Sequence, residues 1–402
     1  MLVFTARFRA LACTLDRSVQ ALLVSFVLFV PLSISLMQAS YILAVTAWLL
    51  GLYLRASWRQ VRLPCLWPVL GFILVSVLCT IVGVAPRRGL IELRNVLEIV
   101  IFYLAVNQIP STERAARLTD VLVAVGTVIA LHGLVQSFSH GASFRVHGTM
   151  SIYMTFAGLL MLMDLMALAQ VLYQSHRRQM LWYMGAVLCL TSALLMTQTR
   201  GAWIGLLGGG CVLLALRHKF LLLALPLMLG LGFFLVPAAI QGRVLSLFDR
   251  QNITAQERLS MWRSGWHMWR DAPLLGIGLG AVAEVYPRYR EPDSLISPTR
   301  HLGHLHNNVV QMAVERGLLG LLCWLGIWVA YLYHVWHIYR RLAPADTTAR
   351  ALVIGSAVCL LAFHLEGMFE HTFGDSEVIS LVYFLMALPF VVQRTRHATA
   401  PA

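Results

Sequence analysis

Lysine is almost missing from this chain. Lys219 is the only one, although Lys and Arg together number 31. Charge of any sign is sparse, at 12% of the residues, where a soluble domain carries roughly a quarter. A soluble globular fold is thereby excluded. Cysteines are few and odd in number, seven in all, and mostly sit inside apolar runs (Cys79, Cys189, Cys211, Cys323, Cys359). No disulfide framework is expected, and they read as small core residues. No cleavable signal is expected at the N-terminus, because the basic flank "RFRALACTLDR" runs into an apolar segment with no small-residue cleavage site. Internal repeats of the kind that mark many transporters are not visible.

What is present is apolar surface: 59% of the residues are hydrophobic and the mean hydropathy is +0.73. The fold class expected is all-α, a polytopic membrane protein. A span needs about 20 mostly apolar residues. Twelve such stretches are expected, near 19–37, 40–54, 66–85, 90–107, 118–137, 150–173, 180–197, 202–216, 220–239, 308–338, 350–366 and 377–393. The fourth is interrupted at its start by Glu92, Arg94, Asn95 and Glu98. The organisation expected is nine spans in 1–239, one long polar loop at 240–307 with amphipathic helices, and three spans plus a short tail in 308–402.

The formal charge of +13 is carried by arginine. Nucleic acid is not an expected partner, since most of the chain is committed to lipid. Basic residues favour cytoplasmic loops. Placing both termini in the cytoplasm puts most arginines in short inner loops and sends 240–307 to the outer face. Arg87, Arg88, Arg145 and Arg200 then stand in short outer loops or at span ends, against that preference. Arginine's planar fork holds phosphate and carboxylate bidentately, so such residues point to an anionic ligand outside.

Four segments carry polar chemistry. In "TQTRGAWIG" (197–205), Arg200 sits between two apolar runs, as a functional cation or as a snorkelling helix end. In "QERLSMWRSGWHMWRDAPLLGIGLG" (256–280), Leu259, Trp262, Trp266 and Trp269 recur at helical spacing, with Arg258, Arg263 and Arg270 beside them. That pattern predicts an amphipathic helix at a membrane interface. Gly276, Gly278 and Gly280 imitate a nucleotide loop, but no βαβ unit surrounds them. In "HLGHLHNN" (301–308), His301, His304 and His306 lack a neighbouring carboxylate or fourth ligand, so no metal is expected. A histidine there serves equally as a general base, with Asn307 and Asn308 orienting it or binding substrate, or as interfacial decoration. The loop "EGMFEHTFGDSE" (366–377) reads mainly as solvated charge, with Glu366, Glu370, His371, Asp375 and Glu377 available to balance arginines or meet sugar hydroxyls.

The stretch "HNNVVQMAVERGLLG" resembles the signature of the O-antigen ligase family, His-[Asn/Ser/Gln]-x9-Gly-x2-[Gly/Thr/Tyr]. His306, Asn307, Gly317 and Gly320 fill its fixed positions. The resemblance extends to the long loop before that motif, to "TRG" at a span end, to "ERLSMW" with "DAPLLGIGLG", and loosely to "RVHGTM" at 145–150. It implies a GT-C type glycosyltransferase in the inner membrane. Such an enzyme moves a glycan from undecaprenyl pyrophosphate to a sugar hydroxyl of lipid A–core on the periplasmic face, without metal or other cofactor. It further implies His306 as base and Arg200 and Arg258 as the arginines that stabilise the departing pyrophosphate, with Arg263 standing in for Arg258 if the register slips. Arg87, Arg88, Arg145, Arg263, Asn307, Trp262 and Trp266 are expected at the substrates and membrane lipids. An O-antigen polymerase is the nearest alternative, followed by a protein O-oligosaccharyltransferase and a lipid-linked oligosaccharide transporter.

Overall fold

The computed structural model describes residues 2–399 apart from 142, 175, 247–248, 250–251, 293 and 296–302. Among the described residues all regular structure is helical. In chain order the helices are α1 (Leu2–Phe29), α2 (Ile34–Arg55), α3 (Leu66–Val82), α4 (Pro86–Leu97), α5 (Val100–Gln108), α6 (Thr112–His140), α7 (Tyr153–Tyr173) and α8 (Arg177–Met196). They continue as α9 (Arg200–Arg217), α10 (Leu221–Leu235), α11 (Ala238–Leu245), α12 (Ile253–Asp271), α13 (Val282–Tyr289), α14 (Asn308–Arg340), α15 (Thr347–Gly367) and α16 (Ser376–Thr399).

Nine of these are long and apolar enough to cross a membrane among the described residues: α1, α2, α6 to α9 and α14 to α16. Two shorter apolar helices, α3 and α10, correspond to two further expected spans. The expected span at 90–107 instead divides into amphipathic α4 and buried α5. Glu98 stands at the division, its carboxylate accepting from Ser376 Oγ and, at 3.1 Å, from Ser380 Oγ of α16. A carboxylate held by two hydroxyls inside the bundle fixes the chain at that point.

The core is built on α7, α15 and α16, whose apolar residues are buried almost without interruption. Helix α9 packs on α15 through a glycine stripe. A Cβ at Gly205 would lie 2.3 Å from Met161 Sδ and 2.9 Å from Ala362 O, and one at Gly209 would meet Leu165 and Val358 within 3.0 Å. In lipid, where apolar side chains gain little by pairing, small residues that let backbones approach supply the packing. This contact brings the start of α9 beside the end of α15: a Cβ at Gly201 would lie 3.4 Å from Phe369 Cβ.

Helix α14 is broken near its start. Gly317 has φ 62° and ψ −167°, a backbone state open only to glycine. A Cβ there would sit 2.2 Å from Leu274 O. The groups released by the break are taken up by the segment after α12. Ile277 N donates to Val314 O (2.9 Å), Gly278 N to Glu315 O (3.1 Å), and Leu318 N to Pro273 O (2.8 Å). Gly276 (φ 68°) presses against the same turn, its Cβ position 2.4 Å from Val314 O. The glycines that imitate a nucleotide loop thus serve close backbone packing against α14.

Candidate active site

The residues "HNN" open α14, and each is tied to the loop between α15 and α16. Asn307 caps the helix, its Oδ1 accepting from Val309 N (2.9 Å) and Val310 N (3.0 Å), while its Nδ2 donates to Met368 O (3.0 Å). Asn308 Oδ1 accepts from Phe373 N and from His371 Nδ1, both at 3.1 Å. His306 Nδ1 lies 2.6 Å from Glu370 Oε1. Asn307 is therefore spent on scaffold, with both ends of its amide engaged within the protein. His301 lies outside the described residues.

An ionised carboxylate only accepts, so the proton of the His306–Glu370 bond belongs to Nδ1 and leaves Nε2 bare. Burial pushes Glu370 up. The hydrogen bond from His306, with the Arg258 guanidinium behind it, outweighs burial and holds the carboxyl below its usual range. His306 itself adopts φ 49°. A left-handed non-glycine residue costs on the order of 1–2 kcal/mol. The ties to the neighbouring loop hold that conformation in place.

A cavity of about 230 Å³ faces this pair. Arg145, Arg200, Arg243 and Arg258 line it, with His306 and Glu370 on another wall. Arg200 opens α9 and donates to Ser246 O (3.2 Å), Ser246 Oγ (3.1 Å) and Asn252 Oδ1 (3.4 Å). Just before it, Gln198 is also left-handed, at φ 54°. That turn points the Gln198 carbonyl at two guanidiniums, Arg145 Nη2 (3.0 Å) and Arg243 Nε (3.4 Å). Arg145 also stacks on Tyr153, 3.5 Å from the ring centroid. Arg258 reaches from α12 to Glu370 Oε2 at 3.5 Å.

Four cations share one small cavity, and the titration of Arg145, Arg200 and Arg258 registers it. Burial, followed by the nearby Arg243, Arg200 and Arg258, lowers Arg145 to about 10. Burial likewise lowers Arg258, with Arg243 opposing its charge and Glu370 supporting it. Arginine keeps its charge at neutral pH, so the site is electropositive, and among the described residues that line it Glu370 and Glu257 offset that charge in part.

Of the residues singled out from sequence, Arg145, Arg200, Arg258 and His306 come together here. Arg263 lies exposed elsewhere on α12. Trp262 donates through Nε1 to Leu305 O (3.1 Å), supporting the histidine loop, while Trp266 faces outward at 57% exposure. The packed face of α12 is Met261, Ser264, Gly265 and Met268. Leu259 and Trp266 are the outward residues of the expected aromatic stripe. Arg87 and Arg88 are exposed at the start of α4, away from the cavity, with Arg88 paired to Glu284 at 3.2 Å. Two charged cavity residues escaped the sequence, Arg243, one outer arginine among many, and Glu257, while Glu370 was read mainly as solvated loop charge, with the balancing of arginines as its other reading.

His304, His306 and Glu370 bring their ligand atoms within 4.8 Å of one another, supplying the carboxylate that the histidine run lacked. A divalent cation there would compete with the Nδ1–Glu370 hydrogen bond and would face Arg258 across the same carboxylate. The charge balance favours the imidazole–carboxylate pair.

A family model described as O-antigen ligase matches residues 185–325. The matched stretch contains Arg200, Arg243, Arg258, His306, Gly317 and Gly320, whereas Arg145 and Glu370 fall outside it. No curated protein matches the chain.

Proposed function

We propose that this chain, whose residues 185–325 match a family model described as O-antigen ligase, is a membrane glycosyltransferase of that family. In this reading it transfers a glycan from undecaprenyl pyrophosphate to a sugar hydroxyl of lipid A–core. The orientation that goes with it has both termini in the cytoplasm and the cavity open to the periplasmic side of the inner membrane, within a GT-C type architecture. The observation that carries the reading is one cavity walled by Arg145, Arg200, Arg243 and Arg258 and facing the His306–Glu370 pair.

The chemistry needs a base and an anion clamp. His306 Nε2 takes the acceptor hydroxyl's proton as that oxygen attacks the anomeric carbon. The anomeric C–O bond to pyrophosphate breaks on the opposite face, inverting the centre, and the electron pair leaves with the lipid pyrophosphate. Arginines directed at the departing oxygens stabilise the charge that develops there, and their forks suit phosphate. Arg200 and Arg258 are the principal pair, with Arg145 and Arg243 completing the clamp. Glu370 is a positioning residue: it fixes the tautomer of His306 and supports the imidazolium once the proton has arrived.

Reconstitution with purified lipid-linked glycan and lipid A–core tests the reading. Glycan on lipid A–core is the expected product. Longer chains on the polyprenyl carrier would make the protein a polymerase, and glycan moved across the bilayer with no new covalent product would make it a transporter.

A further inference from the structure

A second cavity, of about 210 Å³, is lined by sequence neighbours of residues that line the first. His304 and His371 line it, while their neighbours His306 and Glu370 line the first. The His304 ring lies 4.3 Å from that of His306 and 5.7 Å from that of His371, centre to centre. A group seated against His304 in the second cavity is therefore close to the ring of the base.

The walls of this cavity are acidic. Glu315 belongs to the scaffold: Oε1 accepts from Gly280 N and Gln311 Nε2, and Oε2 from Arg316 Nη1, all at 2.9 Å. Arg316 is consumed by that pair and by Ser76 Oγ at 3.2 Å. Glu92 and Asp375 remain, each with one oxygen engaged, by Asn95 Nδ2 (3.2 Å) and by Thr155 Oγ1 (2.9 Å) respectively. Asn95, 8% exposed, turns both amide protons to Glu92 and Gly374 O and leaves its buried Oδ1 without a partner. A buried carbonyl in that state bears an uncompensated desolvation cost until a donor arrives.

The surplus here is of hydrogen-bond acceptors, so the matching ligand brings many donors and no negative charge. A sugar's hydroxyls answer that description. A metal ion answers it less well, because among the described residues no three ligand groups of this cavity lie close enough to share one. We propose that this cavity seats the acceptor sugar beside His306, and that it selects an uncharged sugar over one carrying phosphate or carboxylate. The inference rests on the transferase reading and deepens it: the basic cavity holds the donor's pyrophosphate, the acidic one the acceptor.

The test uses the full-length protein in proteoliposomes, with undecaprenyl-pyrophosphate-linked glycan and two lipid A–core probes. The probes are identical except for a phosphate on the terminal sugar. The wild type should use the uncharged probe with kcat/KM at least about tenfold higher. Glu92→Gln and Asn95→Ala should raise the acceptor KM about fivefold or more at unchanged donor KM, and Glu92→Gln should narrow the discrimination. Equal use of both probes by the wild type would overturn the proposal, as would an unchanged acceptor KM in both variants. The comparison of probes needs no variant to fold. If neither probe is glycosylated, the transferase reading itself fails, a result distinct from indiscriminate transfer.

Discussion

The two cavities that meet at the histidine loop handle charge in opposite ways. The first gathers Arg145, Arg200, Arg243 and Arg258, and among the described residues that line it the opposing charges are Glu257 and Glu370. The second gathers Glu92, Glu315 and Asp375 and neutralises one of them with Arg316. Arginines do not lose their protons near neutral pH, so the repulsion in the first persists until an anion enters. Carboxylates do take up protons when buried. Burial raises Asp375 to about 7, only partly offset by its bond from Thr155, and burial also raises Glu92. One cavity waits for an anion, and the other relaxes by protonation or by meeting hydroxyls.

The comparison breaks first at the boundary between them. His306→Ala removes the group that both substrates are expected to meet. It should lower transfer by ~10²–10⁴-fold, the usual worth of a general base, while detergent-solubilised protein stays folded with a lowered thermal midpoint, because Glu370 loses the bond that supports its charge. Activity retained in a lipopolysaccharide ladder assay would exclude His306 as the base. Arg200→Lys is the finer probe, since it keeps the charge and loses the fork. A fall of roughly 10–10²-fold is expected, smaller than for loss of a full oxyanion donor. Full activity would argue against bidentate recognition of phosphate.

How much of this was legible beforehand follows from which interactions are local. The helical, membrane-spanning architecture was written in composition and run length. His306 was marked by a motif that crosses from a loop into α14, and Arg200 and Arg258 were reached through the same resemblance. Glu370 was not, because its role depends on a contact across 64 positions, and a short acidic loop looks the same in sequence whether solvated or buried. Arg243 was hidden among other outer arginines, since only the Gln198 turn brings it to Arg145. The fourth expected span failed for a similar reason. Glu98 finds two serine hydroxyls on α16, and a chain anchored there need not continue as one helix. Gly276 and Gly317 had been visible as glycines. Their purpose, a helix break closed by the loop after α12, needed both partners in view.

Stability should separate the two cavities more gently. Asp375 has a folded pKa above its unfolded value, so the folded state binds the extra proton between them. Its contribution is complete below about pH 4 and is lost as pH rises through about 7. Asp375→Asn should flatten that decline, by ~2 °C or more in thermal midpoint at neutral pH. The arginines behave otherwise. The pKa of Arg145, lowered to about 10, makes stability rise with pH only between that value and its unfolded one. At working pH the penalty is constant, and only an anion relieves it. Inorganic pyrophosphate should therefore raise the midpoint of the wild type, by an amount that grows with concentration over its dissociation constant. Arg200→Ala should reduce that shift, whereas Asp375→Asn should leave it intact. An equal shift in all three proteins would mean that the anion binds elsewhere.

The smallest expected effect lies at Arg88, a cation shared by neither cavity. Its pairing with Glu284 is between half-exposed side chains. Exposed pairs contribute ~0–1 kcal/mol because water screens the attraction and long side chains lose freedom in holding it. Arg88→Ala should leave transfer within about twofold of the wild type and lower the midpoint by at most a few degrees. The variant tests whether anion recognition belongs to the inward arginines or to the basic outer surface at large. A loss approaching that of Arg200→Lys would extend the anion site to the start of α4. The sharp contrast between a confined basic cavity and its acidic neighbour would then dissolve into one broad field.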